Sequence, residues 1–186
     1  MKKLLTGLVL SSALLATPAM AQQTAKEVGI TPQATYNLVQ QDENVLFIDV
    51  RDPVEIMFIG FTDSVDLNIP YLMVDRSQWD SDKNRFRLYR NPDFIQQVEQ
   101  ALEARGLDKD ATIITMCRSG SERGLPSAQY LIDNGFKNAR YVVNGFQGST
   151  VKEGDKQGFR IRNGWQNSDL PWQSKPNADK IYRLDR

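Results

Sequence analysis

The residues best suited to chemistry are Cys117, the single cysteine, and the six that follow it: Arg118, Ser119, Gly120, Ser121, Glu122 and Arg123. The run Thr112 to Thr115 before them is rich in β-branched residues and reads as a buried strand, and an apolar-periodic helix is expected after them, from Pro126 to Asn134. A thiol at the C-terminal end of a strand, on a loop that opens a helix, meets unpaired backbone N–H groups and the positive end of a helix dipole. Such a setting favours the thiolate and binds anions. Gly120 permits the turn that aims successive N–H groups inward as an anion-binding nest, and the Ser119 and Ser121 hydroxyls add donors. Arg118 and Arg123 bring permanent positive charge in a fork suited to a tetrahedral oxyanion, and the sequence leaves open which of the two points inward. Glu122 reads either as an acid for a leaving group or as a solvated partner of Arg123. A lone cysteine at a strand end is by itself most often a buried small apolar residue. Two arginines, a glycine and two serines in the next six positions are poor company for a core residue, so the expectation is a nucleophilic Cys117 acting on a small anion.

Composition removes several alternatives. The chain has no histidine, which excludes Ser-His-Asp and Cys-His catalysis and any His-containing zinc site, and one cysteine excludes a Cys-rich metal site or an internal disulfide. No metal is expected. Lys2 and Lys3, the apolar run Leu4 to Leu15 and the Ala19-x-Ala21 site make residues 1–21 a secretory signal peptide, cut after Ala21. The apolar run is too short to span a membrane comfortably, and the mature chain is expected to be exported, periplasmic and free of membrane insertion. That mature chain carries 21 basic residues against 23 acidic ones, a formal net charge of −2, which gives no support to a nucleic-acid partner. An unpaired thiol in an oxidising compartment is a liability, which raises the weight of a functional role for it.

The remaining elements must place that loop. Residues 22–30 are polar and read as a flexible N-terminus. Thr31 and Pro32 are expected to cap and open a helix to about Gln41, offering Tyr36, Leu38 and Val39 for burial. Val45 to Val50 is a strand apolar on both faces, as in a sheet covered on both sides. Loops at the carboxyl ends of such strands line the ligand crevice. Arg51 at this strand's end therefore either shares a pocket with Cys117 or joins Asp49 and Asp52 in a local ion-pair and turn network. Ser64 to Pro70 reads as a short edge strand, and Asp75 to Asn91 as a surface excursion without a clean period, held by Trp79, Phe86 and Tyr89. A helix is expected from the Asn91-Pro92 cap to Arg105, stopped by Gly106, then a strand from Ala139 to Val143 after the helix that follows the cysteine loop. The C-terminal extension, residues 149–186, is expected to lie back on the domain through Trp165 and Trp172. Strands alternating with helices predict an α/β domain with a mainly parallel sheet.

The segment Phe47 to Glu55, the Asn68-Ile-Pro70 that follows, the Cys117-Arg-Ser-Gly120 loop and the Gly135-Phe136 and Val143-Asn-Gly-Phe146 endings together resemble a rhodanese-like domain over residues 31–148. Asn163 to Trp165 and Leu170 to Trp172 are similar to tails on exported single-domain members. The resemblance implies a doubly wound, mainly parallel sheet with helices on both faces. It also implies a sulfurtransferase, in which Cys117 carries a sulfane sulfur as a persulfide from a thiosulfate-like donor to a thiophilic acceptor, cyanide or a thiol, without cofactor or metal. Two departures keep other readings open. The Cys-x5-Arg spacing from Cys117 to Arg123 is one residue longer than the usual sulfurtransferase loop and resembles that of the rhodanese-fold phosphatases and arsenate reductases, whose substrate would be phosphate or arsenate. Met116 stands where the phosphatase pattern has histidine, and Phe58 to Phe61 replaces the family's Gly-His-Ile. A non-catalytic anion-binding or partner-binding domain is the third reading.

Overall fold

The computed structural model describes residues 25–185, so the expected signal segment, residues 1–21, lies outside the described residues. Among those described, no helix is long and apolar enough to cross a membrane. In chain order the elements are α1 (Ala25–Val28), β1 (Gly29–Ile30), α2 (Pro32–Gln41), β2 (Val45–Asp49), α3 (Pro53–Ile59), β3 (Leu67–Asn68), β4 (Leu72–Asp80), β5 (Arg85–Arg90), α4 (Phe94–Ala104), β6 (Thr112–Met116), α5 (Gly124–Asp133) and β7 (Ala139–Val142). A 3-10 turn, Trp165–Asn167, marks the C-terminal tail.

Five strands form the central sheet in the order β1-β7-β6-β2-β3, with every neighbouring pair parallel. Of the three inner strands, β2 and β6 are buried on both faces, which is why β2 reads Val-Leu-Phe-Ile with no alternation. Leu46, Ile48 and Ile113 meet Phe94, Val98 and Leu102 of α4 and Leu131 of α5 on one side. Val45, Phe47, Ile114 and Met116 pack on the other side against Ile56, Phe146 and Trp165, with Tyr36, Leu38 and Val39 of α2 behind them.

Capping chemistry sets the start of α2 and the end of α4 as the sequence suggests, whereas α4 begins at Phe94 rather than at an Asn91-Pro92 cap and α5 begins at Gly124, two residues before Pro126. The Thr31 hydroxyl accepts the Ala34 N–H, and Pro32 follows as the first helical residue. At the end of α4 the Leu107 N–H reaches Leu102 O and the Gly106 N–H reaches Glu103 O, the paired bonds of a Schellman stop. The register Asp49↔Met116, with the Val50 N–H on Met116 O, sets the carboxyl ends of β2 and β6 side by side. The loops after the two strands are therefore neighbours.

Two expectations are revised. Residues 25–30 of the expected flexible N-terminus join the fold: β1 pairs with β7 at the sheet edge, and Val28 and Ile30 are buried. Asp75 to Asn91 is regular rather than irregular, with β4 and β5 forming an antiparallel hairpin whose register shifts between Asp75 and Trp79. That bulge breaks the side-chain period on β4. The aromatics do not anchor it in the core; Trp79, Phe86 and Tyr89 are all exposed, and Trp79 and Phe86 stack edge to face on each other.

The tail is bound along its length. Trp165 is fully buried, 5.4 Å from the Phe47 ring and 6.0 Å from Tyr36, and its indole N–H donates to Pro171 O. Leu170 and Ile181 are buried with it, Phe61 bridges to Gln173, and Lys180 O accepts the Asn68 N–H on the open side of β3. Trp172 is exposed by 44% and contributes an edge contact to Phe146. Because Trp165 is the largest fully buried side chain, Trp165→Ala should lower unfolding stability by about 3–5 kcal/mol. Trp172→Ala should cost clearly less, and urea denaturation of the two variants checks the ranking.

Candidate active site

Cys117 follows β6 directly, and the loop 117–123 runs from it into the first turn of α5. Its thiol is fully buried and packs with the core cluster that includes Val50, Leu131 and Phe136. Sγ also accepts the Gly120 N–H at 3.2 Å, so the sulfur is both a packed core atom and the acceptor of a loop amide. A Cβ at position 124 would lie 3.5 Å from Sγ, an ordinary van der Waals contact, so the start of α5 packs directly beside the sulfur. The N–H groups of Arg118, Ser119, Ser121, Glu122 and Arg123 donate to no acceptor among the described residues. Five amides of the loop are thus left without a protein acceptor, the kind of donor an anion nest uses.

The loop is braced from behind by the segment after β7. Phe146 N–H donates to Cys117 O at 2.7 Å, and the Gln147 and Gly148 N–H groups both donate to Arg118 O. Gly145 (φ +54°) makes this approach possible, since a Cβ there would fall 2.2 Å from Cys117 O. Gly120 (φ +84°) faces the same segment, with Asn144 N 2.9 Å from where its Cβ would be.

The charged residues are paired differently from the sequence expectation. Arg51 does not share a pocket with Cys117. It is fully buried, grips Asp49 through Nε and Nη2 (2.5–3.1 Å), donates to Gly60 O, and lies 4.2 Å over the Phe146 ring. Its neighbours Asp49 and Asp52 make the local network that was the alternative: Asp49 accepts the Arg51 N–H, while Asp52 caps α3 and accepts the Val74 N–H of the hairpin. Glu122 is not the partner of Arg123. Both its oxygens are held by Arg85 of β5, at 2.6 and 3.1 Å. The Arg85 hydrogen bonds keep the Glu122 carboxyl below its ordinary range, against a smaller opposing effect of burial, so it is ionised rather than poised to donate a proton.

Arg123 instead forms a two-bond fork with Glu55 of α3, one bond at 3.0 Å, with both side chains largely buried. Burial alone would raise the Glu55 carboxyl, but the hydrogen bonds and charge of Arg123, supported by Arg51 and Arg118, hold it below its ordinary value. Burial would likewise lower Arg123, and Glu55 more than reverses this. Arg123 Nε remains buried without a hydrogen-bond partner among the described residues. Glu55 was not among the residues expected at the site, although the Asp52-Pro53 start of a helix at the end of β2 would have placed it there.

An open cavity of about 370 Å³ adjoins the loop. Arg118, Ser119, Glu122 and Arg123 form one wall, and Glu55 of α3 another. The hairpin supplies Val74, Arg85, Phe86 and Leu88, and the tail supplies Arg160. Of the residues expected at the site, Arg118, Ser119, Glu122 and Arg123 line this cavity and Cys117 and Gly120 do not, while Arg85, Glu55 and Arg160 join it from other elements. Arg118 is held by its Nε donating to Gln147 Oε1 at 2.8 Å.

Residues 31–150 match the sequence pattern of the rhodanese-like domain. The chain is similar to the uncharacterized protein RP600 of Rickettsia prowazekii (strain Madrid E), 26% identical over 141 residues that span 74% of this chain and 90% of that one. Among solved structures it is similar to Rv0390 from M. tuberculosis, 25% identical with a TM-score of 0.56, over 78% of this chain and 96% of that one. It is also similar to the homodimeric polysulfide-sulfur transferase of Wolinella succinogenes, 24% identical with a TM-score of 0.40, over 65% and 72% of the respective chains. A match running from the first residues of the α2 cap to just beyond the segment that braces the cysteine loop makes this chain a member of the rhodanese-like domain family.

Proposed function

We propose that this protein is an exported, periplasmic sulfurtransferase that carries a sulfane sulfur on Cys117. The observation that carries the reading is the loop itself: a cysteine sulfur accepting one loop amide, with five further amides unpaired and two arginines on the adjoining cavity wall. The Cys117 thiolate attacks the outer sulfur of thiosulfate, a sulfur–sulfur bond forms, and the bond to the sulfonyl sulfur breaks with sulfite leaving. Cyanide or a thiolate acceptor then attacks the outer sulfur of the persulfide, and the bonding pair returns to Cys117 as thiolate. The amides and Arg118 or Arg123 stabilise the negative charge that moves along this axis. No group must donate a proton to sulfite, which leaves as an anion.

That last feature separates sulfur transfer from the second reading. Phosphatase or arsenate-reductase chemistry is favoured by the Cys117-x5-Arg123 loop length but needs an acid for the leaving oxygen. Glu122, the carboxylate within the loop, is locked ionised on Arg85. The sulfur reading asks nothing of it beyond tying the loop to the hairpin.

Two outcomes are expected. Reduced protein exposed briefly to thiosulfate should gain the mass of one sulfur atom, the gain should be absent in Cys117→Ser, and cyanide should remove it. Intact-mass spectrometry reads this directly, and a reduced thiol that gains nothing would end the sulfurtransferase reading. Glu55→Gln should cost about 3 kcal/mol at neutral pH, because it strips the buried Arg123 of its counter-charge. Since the Glu55 carboxyl is depressed in the folded state, its contribution is complete above the usual carboxylate range and is lost as pH falls through the folded value. The stability gap between wild type and Glu55→Gln should therefore shrink below about pH 4. Urea denaturation at neutral and acidic pH checks this, and a gap that stays constant would locate the cost in packing instead.

A further inference from the structure

Four arginines line the cavity beside the cysteine loop, and two of them are neutralised: Arg85 by Glu122 and Arg123 by Glu55. Arg118 and Arg160 are not. Neither forms an ion pair with a carboxylate among the described residues. Each is fixed by a neutral acceptor on consecutive residues, Arg118 by the Gln147 side chain and Arg160 by Gly148 O. They are close enough to repel: after burial, the charge of Arg160 is the largest influence lowering Arg118. Two like charges held side by side, with no counter-charge in reach but the Glu55 that Arg123 already binds, leave a place for an anion. A second feature agrees. Arg123 lines the same cavity, and its Nε is buried with no hydrogen-bond partner among the described residues.

Part of the same lining is apolar. Val74, Phe86 and Leu88 of the hairpin line the same space, and Phe86 remains 45% exposed, its ring edge to face with Trp79. We infer that Arg118 and Arg160, with Phe86, form a specificity subsite for an organic anion, a sulfonate or carboxylate borne on a small apolar body, an assignment that rests on the sulfur-transfer reading for what reacts at Cys117. The anionic group is held by the two guanidinium forks and the carbon body by Phe86, Val74 and Leu88, outside the amide nest. Arg160 lies in the tail, beyond the segment that matches the family, so the subsite draws on a residue outside that segment. A substrate or acceptor of this kind is distinguished from an inorganic anion by having both an anionic end and carbon surface to bury.

The test is equilibrium binding of benzenesulfonate and of inorganic sulfate to the reduced full-length protein, by calorimetric titration. Benzenesulfonate should bind at least about fivefold more tightly than sulfate, because only it buries a ring. Arg160→Gln should weaken benzenesulfonate binding about tenfold, the usual worth of a charged hydrogen-bond partner. Phe86→Ser, at an exposed position where folding is not at risk, should abolish the preference over sulfate. Equal affinity for the two anions, or benzenesulfonate binding unchanged in both variants, would overturn the subsite. Thiosulfate charging of the wild type is read separately by mass. A wild type that binds benzenesulfonate through Arg160 yet forms no persulfide would sink the sulfurtransferase reading and keep the subsite, and the reverse pattern would do the opposite.

Discussion

The structure depends most on the short stretch from Asn144 to Gly148, which is bonded on both sides. Toward the site, its N–H groups hold Cys117 O and Arg118 O, and this fixes the first turn of the cysteine loop. Toward the tail, Gly145 O accepts the Trp165 N–H and Phe146 O accepts the Gln166 N–H, each at 2.8 Å. The stretch is thus a backbone splice between the loop and the C-terminal extension. It can be so only because position 145 carries no side chain: a methyl group there would strike the Cys117 carbonyl. Phe146 adds the third attachment, its ring under the Arg51 guanidinium that Asp49 holds at the end of β2. The ends of β2, β6 and β7 are locked to one another through a single segment, and the loop geometry follows from it.

Charge is then distributed on this rigid frame with little slack. A cavity lined by four arginines would strongly oppose folding if all were unpaired. Glu55 and Glu122 remove half of that charge, and they come from different elements. Glu55 is in the first turn of α3, where a carboxylate is also favoured by the helix dipole. Glu122 is in the loop itself and reaches out to the hairpin. The partly exposed Arg85–Glu122 pair adds little stability, as exposed pairs usually do, and its effect is positional. It ties β5 to the loop and closes one side of the cavity.

How far the sequence announced this arrangement differs with the physics behind each part. The inner strands and the helix caps were legible because the signals are local: apolar runs at Val45–Asp49 and Thr112–Met116, Thr31-Pro32 at one helix start, Gly106 at another's end. The cysteine loop was legible because its residue types are unusual together. The hairpin was not recognised, although Arg85-Phe-Arg-Leu alternates with a period of two, because the bulge between Asp75 and Trp79 destroys the matching signal on its partner strand. Helix α3 escaped because it is seven residues long and apolar nearly all round, and with it went Glu55. Pairings across the chain were beyond reach. Glu122 lies beside Arg123 in sequence, yet 37 residues separate it from the arginine it binds, and 68 separate Glu55 from Arg123. For Arg51, proximity in sequence did decide the partner, and Asp49 two residues away took it.

The tail illustrates why the family pattern and the working site need not end at the same residue. The match stops at residue 150, but the core beneath β2 and β6 is completed by Trp165, Leu170 and Ile181, which come later. A domain ending at the match would leave Phe47 and Phe146 without their cover and β3 without the Lys180 carbonyl on its open edge. Burial of those three side chains stabilises the frame. The chain between the splice at Gly148 and the anchor at Trp165 is short enough that holding both ends also positions what lies between them, and that includes Arg160, bonded to Gly148 O. The segment that closes the core is therefore the same one that delivers a cation to the cavity wall, so a change that loosens the tail from the core disturbs the site electrostatics with it.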